Sequence, residues 1–159
     1  MSKTETVAKN LLLVERAINT ALKASSKLEN TVKLIAVTKT RQPDVIEKTL
    51  AAGHRVFGEN RVQEAEKKWL YLKKLYPDTQ LHLIGPLQTN KAALAVRLFD
   101  VIETVDRIKL ATAISRQIIN TGCDVRCFVQ VNTGKEIQKA GVFPEKVDAF
   151  IKTCRLDLS

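Results

Sequence analysis

Leu34-Ile35-Ala36-Val37-Thr38-Lys39-Thr40-Arg41 is an apolar, β-prone run that delivers a lysine where the hydrophobic residues end. Strands buried in parallel sheets read as short continuous apolar runs, and the residue at their carboxyl end sits at the rim where α/β proteins bind ligands. A lysine at such a rim is a candidate imine-forming nucleophile. Spacing alone leaves a second reading open, in which Lys39 is a solvated residue that merely ends a strand.

Working outward, Pro43 fits the first turn of a helix, Val45, Ile46 and Leu50 supply its apolar face, and Gly53 stops it. A second unit opens with Val56-Phe57-Gly58 and continues into a helix of about 60–76, where Val62, Ala65, Trp69, Leu72 and Tyr76 recur at helical spacing before Pro77 and Asp78. The third begins at Leu81-His82-Leu83-Ile84-Gly85 with a helix over about 89–99. The fourth has a strand at 100–104 and a helix that Asp106 opens and Asn120 and Gly122 end. Cys127-Phe128-Val129-Gln130-Val131 reads as a fifth strand, followed by a long loop and a helix of about 144–154. Leu156-Asp157-Leu158 reads as the start of a sixth strand. Ahead of all this, Val7, Leu11, Val14, Ile18 and Leu22 make one stripe on a leading helix.

Five or six strands alternating with helices specify an α/β protein with right-handed crossovers and parallel strands. Two architectures satisfy the periodicity, an open doubly wound sheet and part of a closed (β/α)8 barrel. No Gly-x-Gly-x-x-Gly follows the first strand and no Walker lysine loop occurs, which weakens the nucleotide-binding open sheet.

The 159 residues are 45% apolar and 27% charged, as expected of one globular domain spanning 1–159. With no run of about 18 apolar residues and no signal-peptide pattern, neither membrane insertion nor secretion is supported, and a cytoplasmic protein is expected. Cys123, Cys127 and Cys154 lack Cys-x-x-Cys spacing, so they read as thiols in a reducing compartment; neither they nor His54 and His82 form a metal motif. The net charge of +9 is spread along the chain. Its densest cluster, Lys67-Lys68 with Lys73-Lys74, stands beside Glu64 and Glu66 and reads as a solvated helix face rather than a nucleic-acid surface.

Several segments carry a resemblance when taken in register: Ala36-Val37-Thr38-Lys39-Thr40-Arg41, Phe57-Gly58-Glu59-Asn60-Arg61-Val62-Gln63-Glu64, and Leu81-His82-Leu83-Ile84-Gly85-Pro86-Leu87-Gln88-Thr89-Asn90-Lys91. Glu103-Thr104-Val105-Asp106, Val129-Gln130-Val131-Asn132-Thr133-Gly134 and Lys139-Ala140-Gly141 follow in order. From about residue 30 onward the chain resembles the pyridoxal phosphate homeostasis proteins, whose barrel is like the amino-terminal domain of alanine racemase. The resemblance selects the second architecture, an incomplete (β/α)8 TIM barrel preceded by an N-terminal helix.

It also implies a cofactor, pyridoxal 5′-phosphate, held by Lys39 as a Schiff base at the carboxyl-end mouth of the barrel. Only the free amine attacks an aldehyde, so partial burial near Arg41 is the expected environment. By the same resemblance Asn60, His82 and Asn132 are cofactor-binding candidates. Each also has a plainer reading: Asn60 as a helix cap, His82 as a satisfied core histidine, Asn132 as a cap on the loop at Thr133-Gly134. Lys135, Lys139 and His54 are expected to face solvent. The implied function is a non-catalytic carrier in intracellular cofactor homeostasis, with cofactor-dependent apo-enzymes as possible partners.

The family's serine- and glycine-rich phosphate cradle and its Val-Arg-Ile-Gly-like strand end do not occur in these 159 residues, so the resemblance is to a carboxyl-terminally truncated member. Two other readings stay open: a cofactor-dependent racemase or lyase, which needs a second acid–base group beside Lys39, and a fragment that no longer binds the cofactor.

Overall fold

The computed structural model describes residues 3–25 and 32–157. Helix α1 (Lys3–Ala24) leads into five β-α units: β1 (Ala36–Val37) and α2 (Pro43–Ala51), β2 (Val56–Glu59) and α3 (Val62–Leu75), β3 (Gln80–Leu83) and α4 (Ala92–Leu98), β4 (Val101–Val105) and α5 (Ile108–Thr121), β5 (Arg126–Val129) and α6 (Val147–Asp157). Short 3-10 turns at Thr89–Lys91 and Pro144–Lys146 open the last turns before α4 and α6. All strand pairs are parallel, and the order is β1-β2-β3-β4-β5. A doubly wound sheet would reverse direction at a switch point; this order never reverses, which is the progression of a barrel wall.

Strand alternation gives the sheet two unlike faces. On one, Phe57, Leu81, Leu83 and Ile102 are fully buried beneath the helices, packed in one core with Ile46, Leu50, Trp69, Leu72, Ala95 and Leu110. Phe57 and Trp69 meet with ring centroids 4.9 Å apart. Burying each such large side chain contributes about 1.5–3 kcal/mol, so this helix-facing layer holds the units together. Val37, Gly58 and His82 stand in register on the other, concave face. A Cβ on Gly58 would lie 3.0 Å from Ile35 and 3.1 Å from Ile84, so these two isoleucines close over the glycine on that side.

Two sequence expectations change. The sixth strand does not form: Leu156 and Asp157 continue α6, whose Val147, Phe150, Ile151 and Cys154 already follow helical spacing, while Leu158 lies outside the described residues. The first strand is shorter than its apolar run: β1 pairs with β2 over two residues, and the Thr38 N–H extends the ladder by donating to Gly58 O at 2.9 Å. The leading helix forms as expected. Leu22 is buried, whereas Leu12, Leu13 and Val14 stay exposed. No helix among the described residues is long and apolar enough to cross a membrane.

Candidate functional site

Lys39 sits in the turn that leaves β1, and the residues flanking it are fastened from elsewhere. Thr38 is buried; its hydroxyl donates to Glu59 Oε1 at 2.6 Å, and its carbonyl accepts from Lys68 Nζ at 3.0 Å. The Thr40 N–H donates to Glu64 Oε1 at 2.5 Å, and Thr40 is held at φ 62°, a left-handed conformation that costs a non-glycine residue about 1–3 kcal/mol. Thr38 points to the helix layer, and Lys39 follows it in the turn beyond β1. The lysine is exposed and makes no hydrogen bond or ion pair with another described residue. The expected partial burial is therefore not met. Among the described residues no strand stands across the concave face from β1, and Val37 and Phe128 are likewise open to solvent at 47% and 55%.

Beneath the turn lies a buried ionic cluster. Glu59 at the end of β2 is fully buried, and its Oε1 also accepts from Trp69 Nε1 at 3.0 Å and meets Lys68 Nζ at 2.8 Å. Lys68 completes its coordination with Glu64 Oε1 at 2.9 Å. Its hydrogen bond to Glu64, assisted by the Thr40 N–H, holds the Glu64 carboxyl below the usual glutamate range against the opposing effect of desolvation. The solvated face expected for Lys67-Lys68 and Lys73-Lys74 is thus corrected. Lys68 is only 6% exposed and Lys73 pairs with Asp100 at 2.8 Å, while Lys67 and Lys74 do face solvent. The sequence signal was present: position 68 follows Ala65 by three and precedes Leu72 by four, which places it on the buried stripe.

Asn60 follows Glu59 at the strand end. It is half-buried, and its Oδ1 is buried without a hydrogen-bond partner. The loop after β3 presses against it, since a Cβ on Gly85 would fall 2.2 Å from the Asn60 carbonyl oxygen. Thr104 fixes that loop by donating to Gly85 O at 2.8 Å. His82 on β3 is buried; its Nδ1 lies 2.6 Å from Glu103 Oε1, and its Nε2 has no partner. Glu103, which sequence reading did not single out as a site residue, fixes the ring orientation and leaves that second nitrogen available on the concave face.

Asn132 is also buried, but its amide is engaged within its own loop. Nδ2 donates to Glu136 O at 2.8 Å and to Lys139 O at 3.3 Å, and Oδ1 accepts from the Glu136 N–H at 3.3 Å. Lys139 and Lys135 form exposed pairs with Glu136 and Glu145. His54 differs from expectation: it is half-buried, bonded to Val56 O at 2.7 Å and set edge-on to Phe57. Among the described residues no three His, Cys, Asp or Glu side chains converge as a metal site.

Residues 16–157 match the family model described as alanine racemase, N-terminal domain. The chain belongs to this family. It is 37% identical over 143 residues to the pyridoxal phosphate homeostasis protein of Haemophilus influenzae, covering 90% of this chain and 60% of that one. PipY of Synechococcus elongatus, solved with pyridoxal phosphate bound, superposes with a TM-score of 0.76 at 35% identity, covering 96% of this chain and 65% of PipY. An uncharacterised protein from Bifidobacterium adolescentis superposes with a TM-score of 0.90 at 29% identity, covering 98% and 67%. The chain spans about 60% of the length of the curated relatives it matches. Within the alanine racemase N-terminal domain family, the unreversed strand order is that of the barrel that the motifs implied.

Proposed function

We propose that this chain carries the lysine-bearing wall of a pyridoxal 5′-phosphate-holding barrel and acts as a non-catalytic carrier of that cofactor. The observation that carries the reading is the Lys39 turn: an amine with no partner among the described residues, at the carboxyl end of a barrel strand, between two threonines that three side chains hold in place. When bound, the cofactor supplies an aldehyde that condenses with a neutral lysine amine, forming a C=N bond and releasing one water.

The remaining groups suit such a ligand. The unpartnered Asn60 Oδ1 and His82 Nε2 are buried polar atoms at and below the mouth, and buried polar atoms ordinarily have partners. An aromatic ring with polar substituents satisfies them. Asn132 acts one step removed, by shaping the loop from Gly134 to Gly141.

Carriage is favoured over turnover by the placement of the tyrosines. Tyr71 and Tyr76 lie toward the carboxyl end of α3, which starts at the mouth and runs away from it; Tyr71 is exposed and Tyr76 stacks under Arg55 at 5.4 Å. Neither is a proton-transfer partner for Lys39. Handover to apo-enzymes is the corresponding cellular role, in keeping with the name of the Haemophilus influenzae relative.

Incubation with pyridoxal phosphate, borohydride reduction and peptide mapping tests the proposal. The expected adduct is on Lys39 and absent from Lys39→Ala. Labelling spread evenly over surface lysines overturns the binding site, and steady amino-acid racemisation abolished by Lys39→Ala overturns the carrier.

A further inference from the structure

Resting on the reading of Lys39 as the imine-forming amine, we propose that Glu64 and Lys68 are positioning residues of that site, and that α3 sets the orientation of the amine. Strand β1 has two residues and a single neighbouring strand, so its own ladder defines the Lys39 backbone weakly. The Arg41 N–H closes the turn onto Thr38 O at 3.1 Å, and the β2–α3 unit supplies the restraints from outside the turn. Glu59 accepts from the Thr38 hydroxyl, Lys68 donates to the Thr38 carbonyl, and Glu64 accepts from the Thr40 N–H. Residues on both sides of Lys39 are therefore tied to the first half of one helix and the strand feeding it.

Lys68 is suited to this work because an ammonium has three N–H donors, and it has three oxygens to meet: Thr38 O, Glu59 Oε1 and Glu64 Oε1, all within 3.0 Å. With its side chain only 7% exposed, it cannot exchange these for water. Bonds to charged groups are about twice as strong as neutral ones, and misplacing a reacting group by about 1 Å can cost about a hundredfold in rate. Thr40 supplies an independent sign. A non-glycine residue at φ 62° is strained, and the Glu64 bond holds it there together with the turn's own Arg41 N–H to Thr38 O bond at 3.1 Å. Arg61 adds a weaker attraction for the Glu64 carboxylate.

The test compares wild type, Glu64→Ala and Glu64→Gln in stopped-flow mixing with pyridoxal phosphate, followed by the induced visible circular dichroism per mole of Lys39 adduct. Far-ultraviolet spectra monitor the fold. Glu64 is 31% exposed on a helix surface and alanine is a good helix former, so the fold persists in Glu64→Ala. The expected result is adduct formation about tenfold slower in Glu64→Ala, with reduced induced dichroism, and within about threefold of wild type in Glu64→Gln, whose amide oxygen still accepts from Thr40. Wild-type rate and dichroism in Glu64→Ala, with wild type labelled at Lys39, overturn the positioning role and leave the carrier reading intact. Wild type that is not labelled at Lys39 overturns both.

Discussion

Lys68 reaches across from α3 to place its ammonium 2.8 Å from the Glu59 carboxylate, and both side chains are almost wholly buried, at 7% and 0% exposure. Removing one member of such a pair strands the other charge in a low-dielectric interior, which costs about 3–5 kcal/mol, whereas removing both is far milder. Lys68→Met should therefore lower the urea-unfolding free energy by about that amount. The double variant Glu59→Gln/Lys68→Met should recover more than half of it. A single-variant loss below about 1 kcal/mol would show that water already reaches Glu59.

The Glu64 carboxyl makes stability depend on acid. The Lys68 bond holds it below its ordinary value of 4.5, so the unfolded chain takes up this proton more readily than the folded one. The stabilisation is complete above 4.5 and disappears as pH falls through the depressed folded value. Glu145 titrates in the same direction, so the informative quantity is the difference between wild type and Glu64→Ala. In urea titrations that difference should stay level from pH 7 to about pH 5 and shrink as pH falls below 4.5 toward 3. A gap that stays constant across the range contradicts the assignment.

Cys127 is expected to be a sluggish thiol. The residue is exposed on the strand edge, but its sulfur faces an apolar cavity of about 540 Å³ lined also by Ile114, Ile118 and Cys154. Desolvation, with a smaller contribution from Cys154, pushes the thiol up to about 11. Alkylation by iodoacetamide at pH 8, read by peptide mapping, should run about tenfold slower at Cys127 than at glutathione. Equal rates would place the sulfur in water.

Gly85 should tolerate no side chain. A Cβ there meets backbone atoms of Asn60 at 2.2–2.8 Å, and backbone cannot swing aside as a long side chain does. Gly85→Ala is expected to destabilise by about 1–3 kcal/mol and to weaken adduct formation at Lys39 by displacing Asn60. Wild-type melting with wild-type labelling would show that the loop relaxes freely.

Much of the fold was legible because each unit carries its own punctuation. Gly53 at φ 93° and Gly122 at φ 66° end α2 and α5 where the sequence places stops. The Leu156 strand was misread because a three-residue apolar alternation also fits the last turn of a helix. Lys39, Asn60, His82 and Asn132 could be named as site candidates only by resemblance to a family. The supports of the Lys39 turn were not legible: Glu59 and Glu64 read as ordinary charges, and the stripe position of Lys68 signals burial but not its partners, until the fold brings Thr38 and Thr40 to them, 21 to 30 residues away in sequence. Long-range hydrogen bonds of this kind leave no local periodicity to detect.

That sequence separation also orders events during synthesis. The residues that secure the Thr38 and Thr40 backbone are made after the lysine they flank, with Lys68 the last of them. A nascent chain that has emerged only as far as α2 carries the amine on an unsecured tether. The ribosome must deliver α3 before the backbone around Lys39 acquires its fixed bearing.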